Sequence, residues 1–137
     1  MALSAEQQRR LEEFLSPPRI AVVATIGRTG MPQLTPNWYR YSKGVLTIST
    51  TRERVKYRNL SRDPRLAVCI CSEPLAREYA VVTGKATFVE RQAIWPETRA
   101  IVQRYVEAER LEAVLEQMRT QNRVIIRMTP DRVRFRS

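Results

Sequence analysis

A chain of 137 residues is the size of one ordinary domain, long enough to bury its own core. It contains no histidine, which removes the commonest general base, the commonest transition-metal ligand and every histidine-dependent triad. The formal net charge of +10 is compatible with nucleic acid, an acidic membrane surface or a polyanionic small molecule as partner, but the cations are widely spread, as a solubility device would have them, except for a cluster at 52–65.

In chain order, SAEQQRRLEEFL reads as a helix: Ser4 and Gln7 fit a capping box, and Leu11, Phe14 and Leu15 recur at helical spacing. Ser16-Pro17-Pro18 ends it, and RIAVVATI (19–26) is short, apolar and β-branched, as a buried strand would be. A turn at 27–30 leads into PQLTPNWYRY (32–41), giving a hairpin. Pro36 cannot donate to a ladder, so this second strand is expected at an edge or a bulge.

After Ser42-Lys43-Gly44 comes a third strand, VLTISTT, then a short helix, ERVKYRNLSR, with Val55 and Leu60 facing inward and Asp63-Pro64 as its stop. RLAVCICS and YAVVTGKATFV are further strands, the latter with Gly84 where a barrel bends. IWPETRAIVQRYVEAERLEAVLEQMRT is helical, as one helix or as two broken near Ala108. NRVIIRM and RVRF close the chain as strands, the last with arginines outward and Val133 and Phe135 inward. Strands at hairpin spacing with helical excursions predict a mainly β, antiparallel barrel of about six or seven strands covered by peripheral helices, in one domain spanning 1–137.

No apolar run reaches the ~18 residues a spanning helix needs, and the N-terminal stretch lacks a secretory pattern; a cytoplasmic protein is expected. Cys69 and Cys71 are two apart, without the spacing of a metal knuckle or a redox pair, and read as buried, inert thiols.

The stretch STTRERVKYRNLSRDP (49–64) stands out. Three hydroxyl residues close a strand, and Arg52, Arg54, Lys56 and Arg58 follow at alternate positions. A helix beginning near Arg52 or Glu53 would turn free N–H groups and a positive dipole end toward the strand end, the physics of a phosphate site. Hydroxyls add donors, and arginine grips phosphate with two parallel bonds. The plainer alternative is a solvated charged face behind an ordinary Ser/Thr cap.

Three pieces, AVVATIGRTGMPQLTPNWYRY, GVLTISTTRERVKYRNLSRDPRLAVCI and YAVVTGKATFV, resemble the FMN- and F420-binding split β-barrel (pyridoxamine-5'-phosphate-oxidase-like) superfamily, and most closely its branch using the deazaflavin coenzyme F420. The resemblance covers about residues 10–90 well and the last strands loosely. It implies a homodimer with cofactor sites at the subunit interface and hydride transfer between reduced deazaflavin and a small organic substrate. The cofactor would carry the chemistry, with which a histidine-free chain is compatible, and no side chain is assigned a catalytic role.

By the same likeness Ser49, Thr50, Thr51, Arg54 and Lys56 take the phosphate side. Gln33, Thr35, Asn37 and Trp38 line the ring, and Tyr79 approaches from the partner chain. Trp38 and Tyr39 would serve ring contact or dimer packing. Arg52, Arg58 and Arg62 would meet the acidic tail of F420. FMN is the alternative cofactor, with catalysis or as a carried group. The chain is shorter than pyridoxamine-5'-phosphate oxidases proper and lacks their histidine-containing C-terminal segment, so vitamin B6 oxidation is not expected. A nucleic-acid-binding barrel is a distant third reading. It would need aromatics interleaved with cations on one face, and Trp38, Tyr39 and Tyr41 form the only such cluster.

Overall fold

The computed structural model describes residues 2–136. Helix α1 (Ala5–Leu15) carries the expected capping box, Ser4 accepting from the Gln7 amide while the Gln7 side chain accepts from the Ser4 amide. It buries Leu11 and Leu15 against the barrel. Strands β1 (Ala21–Ile26) and β2 (Pro32–Asn37) form the hairpin. They are followed by β3 (Arg40–Ser42), β4 (Val45–Thr51), α2 (Val55–Arg62), β5 (Arg65–Cys71) and β6 (Tyr79–Val89). A short 3-10 turn precedes α3 (Trp95–Val102) and α4 (Ala108–Met118), and β7 (Arg123–Met128) and β8 (Arg132–Arg136) end the chain.

All pairings are antiparallel, in the order β2-β1-β5-β6-β7-β4-β3, with β8 beside β6. The two terminal strands of that path, β2 and β3, are consecutive in the chain and separated only by Trp38 and Tyr39. The sheet must therefore curl until its edges nearly meet, which makes it a split barrel. Eight strands stand where six or seven were expected, because 32–41 is two strands divided at these two residues. The predicted edge position of the Pro36 strand holds: β2 pairs with β1 alone.

The barrel bends along β6. Its residues 79–83 lie beside β8 and 86–89 beside β7, with Gly84 at the change of partner. A Cβ there would lie 2.8 Å from the Thr129 carbonyl oxygen and 2.9 Å from Met128 Sδ, so only glycine lets the strands approach this closely.

The interior is filled by Val23, Leu46, Ile48, Val68, Ile70, Val82, Ile126 and Met128. Tyr39, fully buried, closes the seam. Its hydroxyl lies 3.0 Å and 2.9 Å from the carbonyl oxygens of Leu15 and Pro17, at the end of α1. Burial and the adjacent Tyr105 push its phenol up to about 12. Tyr39 is therefore neither a ring contact nor a dimer-packing residue. Tyr39→Phe strands a buried acceptor and is expected to lower unfolding stability by about 1–2 kcal/mol, read from urea denaturation.

The long helical region is two helices. Residues of the intervening turn bind back to the barrel: Arg104 donates to the Leu15, Ser16 and Pro17 carbonyls, and the Tyr105 hydroxyl donates to the Arg19 carbonyl at 2.6 Å. In α2 the buried positions are Lys56, Asn59 and Leu60, while Val55 is 45% exposed. Val55 thus stands largely exposed, contrary to expectation, at the edge of the buried stripe formed by 56, 59 and 60 and in the first residue of the helix, while Leu60 is buried as expected.

Candidate functional site

The ends of β2, β4 and β7 and the start of α2 surround a cavity of about 530 Å³. β2 and the turn after it contribute Pro36, Asn37 and Trp38, β4 contributes Ser49 and Thr50, the α2 end contributes Arg54 and Lys56, and β7 contributes Arg123. The remaining wall is apolar: Ile20, Ile101 and Val102, and Val114 and Met118 of α4.

Lys56 is 2% exposed, and among the described residues no carboxylate pairs with it, with Arg54 or with Arg123. Burial and the charges of Arg54 and Arg123 hold its ammonium below the ordinary lysine value. Burial and Arg54 likewise lower Arg123. Arg123 leans on Gln121 Oε1 at 2.8 Å and Ser49 Oγ at 3.3 Å, both neutral. The Thr50 hydroxyl is buried with no partner in the protein. A buried ammonium beside two guanidiniums and an orphan hydroxyl carries an electrostatic cost that a bound anion would offset.

Helix α2 begins later than expected, at Val55, with Arg54 as its N-cap and no side-chain cap bond. The Arg54 amide donates to the Thr51 carbonyl at 3.1 Å, closing a turn that delays the helix. Arg52 therefore precedes the helix and shares no face with Lys56. It pairs with Glu90 at 2.8 Å. Arg62 is also engaged, bonding the Ile26 carbonyl and Asn59 Oδ1; of the three surplus cations, Arg58 stands exposed and without such a partner among the described residues.

Six of the ten predicted site residues, Asn37, Trp38, Ser49, Thr50, Arg54 and Lys56, line this one cavity. Thr51 is buried opposite Arg123 in the β4–β7 register, outside the lining. Gln33 and Thr35 share with Asn37 one face of β2. The Asn37 amide donates to the Thr35 carbonyl at 2.8 Å and to its hydroxyl at 3.0 Å, which fixes Asn37 at the rim. Tyr79 lies on β6, opposite Cys71 and Arg136. Trp38 is 40% exposed and stacks on Tyr105, ring centroids 5.0 Å apart and 4° from parallel.

Sequence reasoning missed Arg123 and the apolar wall. The only local sign of Arg123 was its place at a strand start. Cys69 and Cys71 are half-buried rather than buried, with sulfurs 3.9 Å apart, and no group of three metal-ligating side chains occurs among the described residues. No helix among the described residues is long and apolar enough to cross a membrane. Because Tyr39 is enclosed, Trp38, Tyr39 and Tyr41 do not form an open stacking row.

A curled antiparallel barrel with an unneutralised cation cluster beneath its seam defines a split-barrel protein with an anion-ready cavity. The sequence profile of pyridoxamine 5'-phosphate oxidase matches residues 8–137, and the chain belongs to that family. Among solved structures it is similar to the conserved hypothetical protein Rv2991 from Mycobacterium tuberculosis. That match has 26% identity over 100% of this chain and 86% of that one, with a TM-score of 0.79. It is also similar to a protein described as an F420 reductase, at 23% identity over 90% and 94% of the two chains, TM-score 0.69. General stress protein 26 from Bacillus anthracis matches at 17% identity over 96% and 94%, TM-score 0.70. The last two bear on the fold alone.

Proposed function

We propose that the chain is an F420-dependent oxidoreductase acting on a small organic substrate, a cytosolic homodimer with its cofactor at the subunit interface. The observation that carries this reading is Lys56, buried without a counter-ion between Arg54 and Arg123. A phosphate monoester supplies the missing negative charge. The Arg54 and Arg123 guanidiniums and the Ser49 and Thr50 hydroxyls would hold its oxygens, with Thr51 behind them.

The apolar wall facing these cations suits a flat ring, with Gln33, Thr35, Asn37 and Trp38 along it and Tyr79 offered by the partner subunit. When bound, the deazaflavin supplies the hydride. The chain's own groups anchor the phosphate, fix the ring's orientation and exclude water. The absence of histidine suits this division of labour. F420 is favoured over FMN by the sequence motifs. FMN is the second reading, because it presents a phosphate to the same cations.

The test is a titration of purified protein with F420, FMN and single-stranded DNA, followed by cofactor fluorescence and by anisotropy. Micromolar F420 binding tighter than FMN binding is expected. FMN binding alone would move the assignment to the second reading. Salt-sensitive DNA binding with neither cofactor bound would overturn both.

A further inference from the structure

Asn59, part of the motif that follows Lys56, takes no part in the anion cluster yet is 4% exposed. Its surroundings form a chain of four polar side chains. Arg62 Nη2 donates to Asn59 Oδ1 at 3.1 Å, Asn59 Nδ2 donates to Thr25 Oγ1 at 3.0 Å, and Thr25 Oγ1 donates to Gln33 Oε1 at 3.2 Å. The chain runs from α2, through β1, to β2.

Its direction is fixed at one end. A guanidinium has donors and no acceptor, so it must face the oxygen of Asn59, which turns the Asn59 NH2 to Thr25. Thr25 is 1% exposed, and the Gln33 oxygen is the acceptor recorded for its hydroxyl. A buried hydroxyl gives its single proton to such an acceptor rather than leave it unbonded. Gln33 must then offer Oε1 inward, and its Nε2, with two protons and no bond to the protein among the described residues, points the other way.

We infer that Arg62, Asn59 and Thr25 are positioning residues that orient the Gln33 amide, so that Nε2 presents hydrogen-bond donors on the β2 face that also carries Asn37 at the cavity rim. The ligand chemistry this selects is a carbonyl acceptor, such as those on the pyrimidine edge of a flavin or deazaflavin ring. The inference rests on the cofactor reading above.

Asn59→Asp tests the polarity without any ligand. A carboxylate at 59 can only accept, so Arg62 and Thr25 both donate to it, and Gln33 turns Nε2 inward to Thr25. In isotope-labelled apoprotein, solvent exchange of the Gln33 side-chain amide is expected to slow by about tenfold relative to wild type. Equal exchange in the two proteins overturns the polarity.

The ligand arm uses FMN and F420 as probes. Thr25→Val, which breaks the chain at constant volume, is expected to weaken binding by about threefold to tenfold, and Thr25→Ser to restore it. Binding by Thr25→Val equal to that of Thr25→Ser overturns the role of Gln33 toward the ring. If Thr25→Val fails to fold, Asn59→Asp gives the same reading of affinity, with the same loss expected. Failure of wild type to bind either cofactor overturns the cofactor reading and the ligand half of this inference, while the exchange experiment judges the polarity by itself.

Discussion

Lys56→Met is expected to weaken F420 or FMN binding by about 30- to 100-fold and, in the same variant, to raise the thermal midpoint of the apoprotein by about 3 °C or more. The two effects share one cause. In the apoprotein the ammonium is buried beside two guanidiniums with no carboxylate to offset them, so replacing it with an apolar chain of similar length relieves repulsion and desolvation. In the proposed complex the same ammonium would lie at the centre of the anion's binding site. Calorimetry with and without cofactor reads both effects. A lower midpoint in the apo variant would show that Lys56 stabilises the fold and would sink the account of an uncompensated charge.

The pH dependence follows with its sign. The folded pKa of Lys56 lies below the ordinary value of 10.5 that the unfolded chain shows, so between the two the unfolded state binds more protons. Apoprotein stability therefore rises with pH across that window, and the penalty is fully present below the folded value. Anion affinity runs the other way, falling as pH rises through the folded value because the bound anion requires the protonated lysine. Lys56→Met should flatten both slopes.

Gly84→Ala is expected to destabilise the protein by about 3 kcal/mol. The added methyl would meet the Thr129 carbonyl oxygen at 2.8 Å and Met128 at 2.9 Å, and the first of these is backbone that cannot turn aside. Nearby Thr87→Ala, at an exposed position of the same strand, should fall within about 0.5 kcal/mol of wild type. Urea unfolding of the pair separates steric closure of the barrel from loss of strand propensity. Equal midpoints would mean that the bend at β6 tolerates a side chain, and that its close approach to 128–129 is not a condition of the fold.

The elements that sequence periodicity reveals are those governed by local rules. The α1 capping box follows from two side chains three residues apart, and the edge position of the Pro36 strand and the bend at Gly84 each follow from one residue's backbone chemistry. The start of α2 was misjudged because a tertiary-supported turn, closed by the Arg54 amide on Thr51, competes with helix initiation after a Ser/Thr run. Of the two apolar residues expected inward on α2, Leu60 is buried and Val55 is not; the other buried positions are the polar Lys56 and Asn59, which a hydrophobic pattern does not mark. Four of the six converging candidates, Ser49, Thr50, Arg54 and Lys56, belong to one strand-to-helix junction and are near neighbours in sequence, while Asn37 and Trp38 reach the same cavity from the end of β2. Arg123 was invisible because its place depends on the pairing of β4 with β7, which no neighbouring residue announces. Tyr79 lies outside the lining of this cavity within one chain, and the role proposed for it would need a second subunit.

That pairing has a kinetic corollary. Ser49 and Arg123 are 74 positions apart in the chain, and the β4–β7 ladder lies near the C-terminus, so the anion cluster is assembled only when the last strands dock. Loop-closure entropy makes such distant pairings slow and late. A nascent chain that has exposed everything through α2 still has only part of this cation cluster. A ligand that recognises the finished cluster would act after most of the barrel is built, trapping the completed fold and slowing its opening rather than speeding its formation.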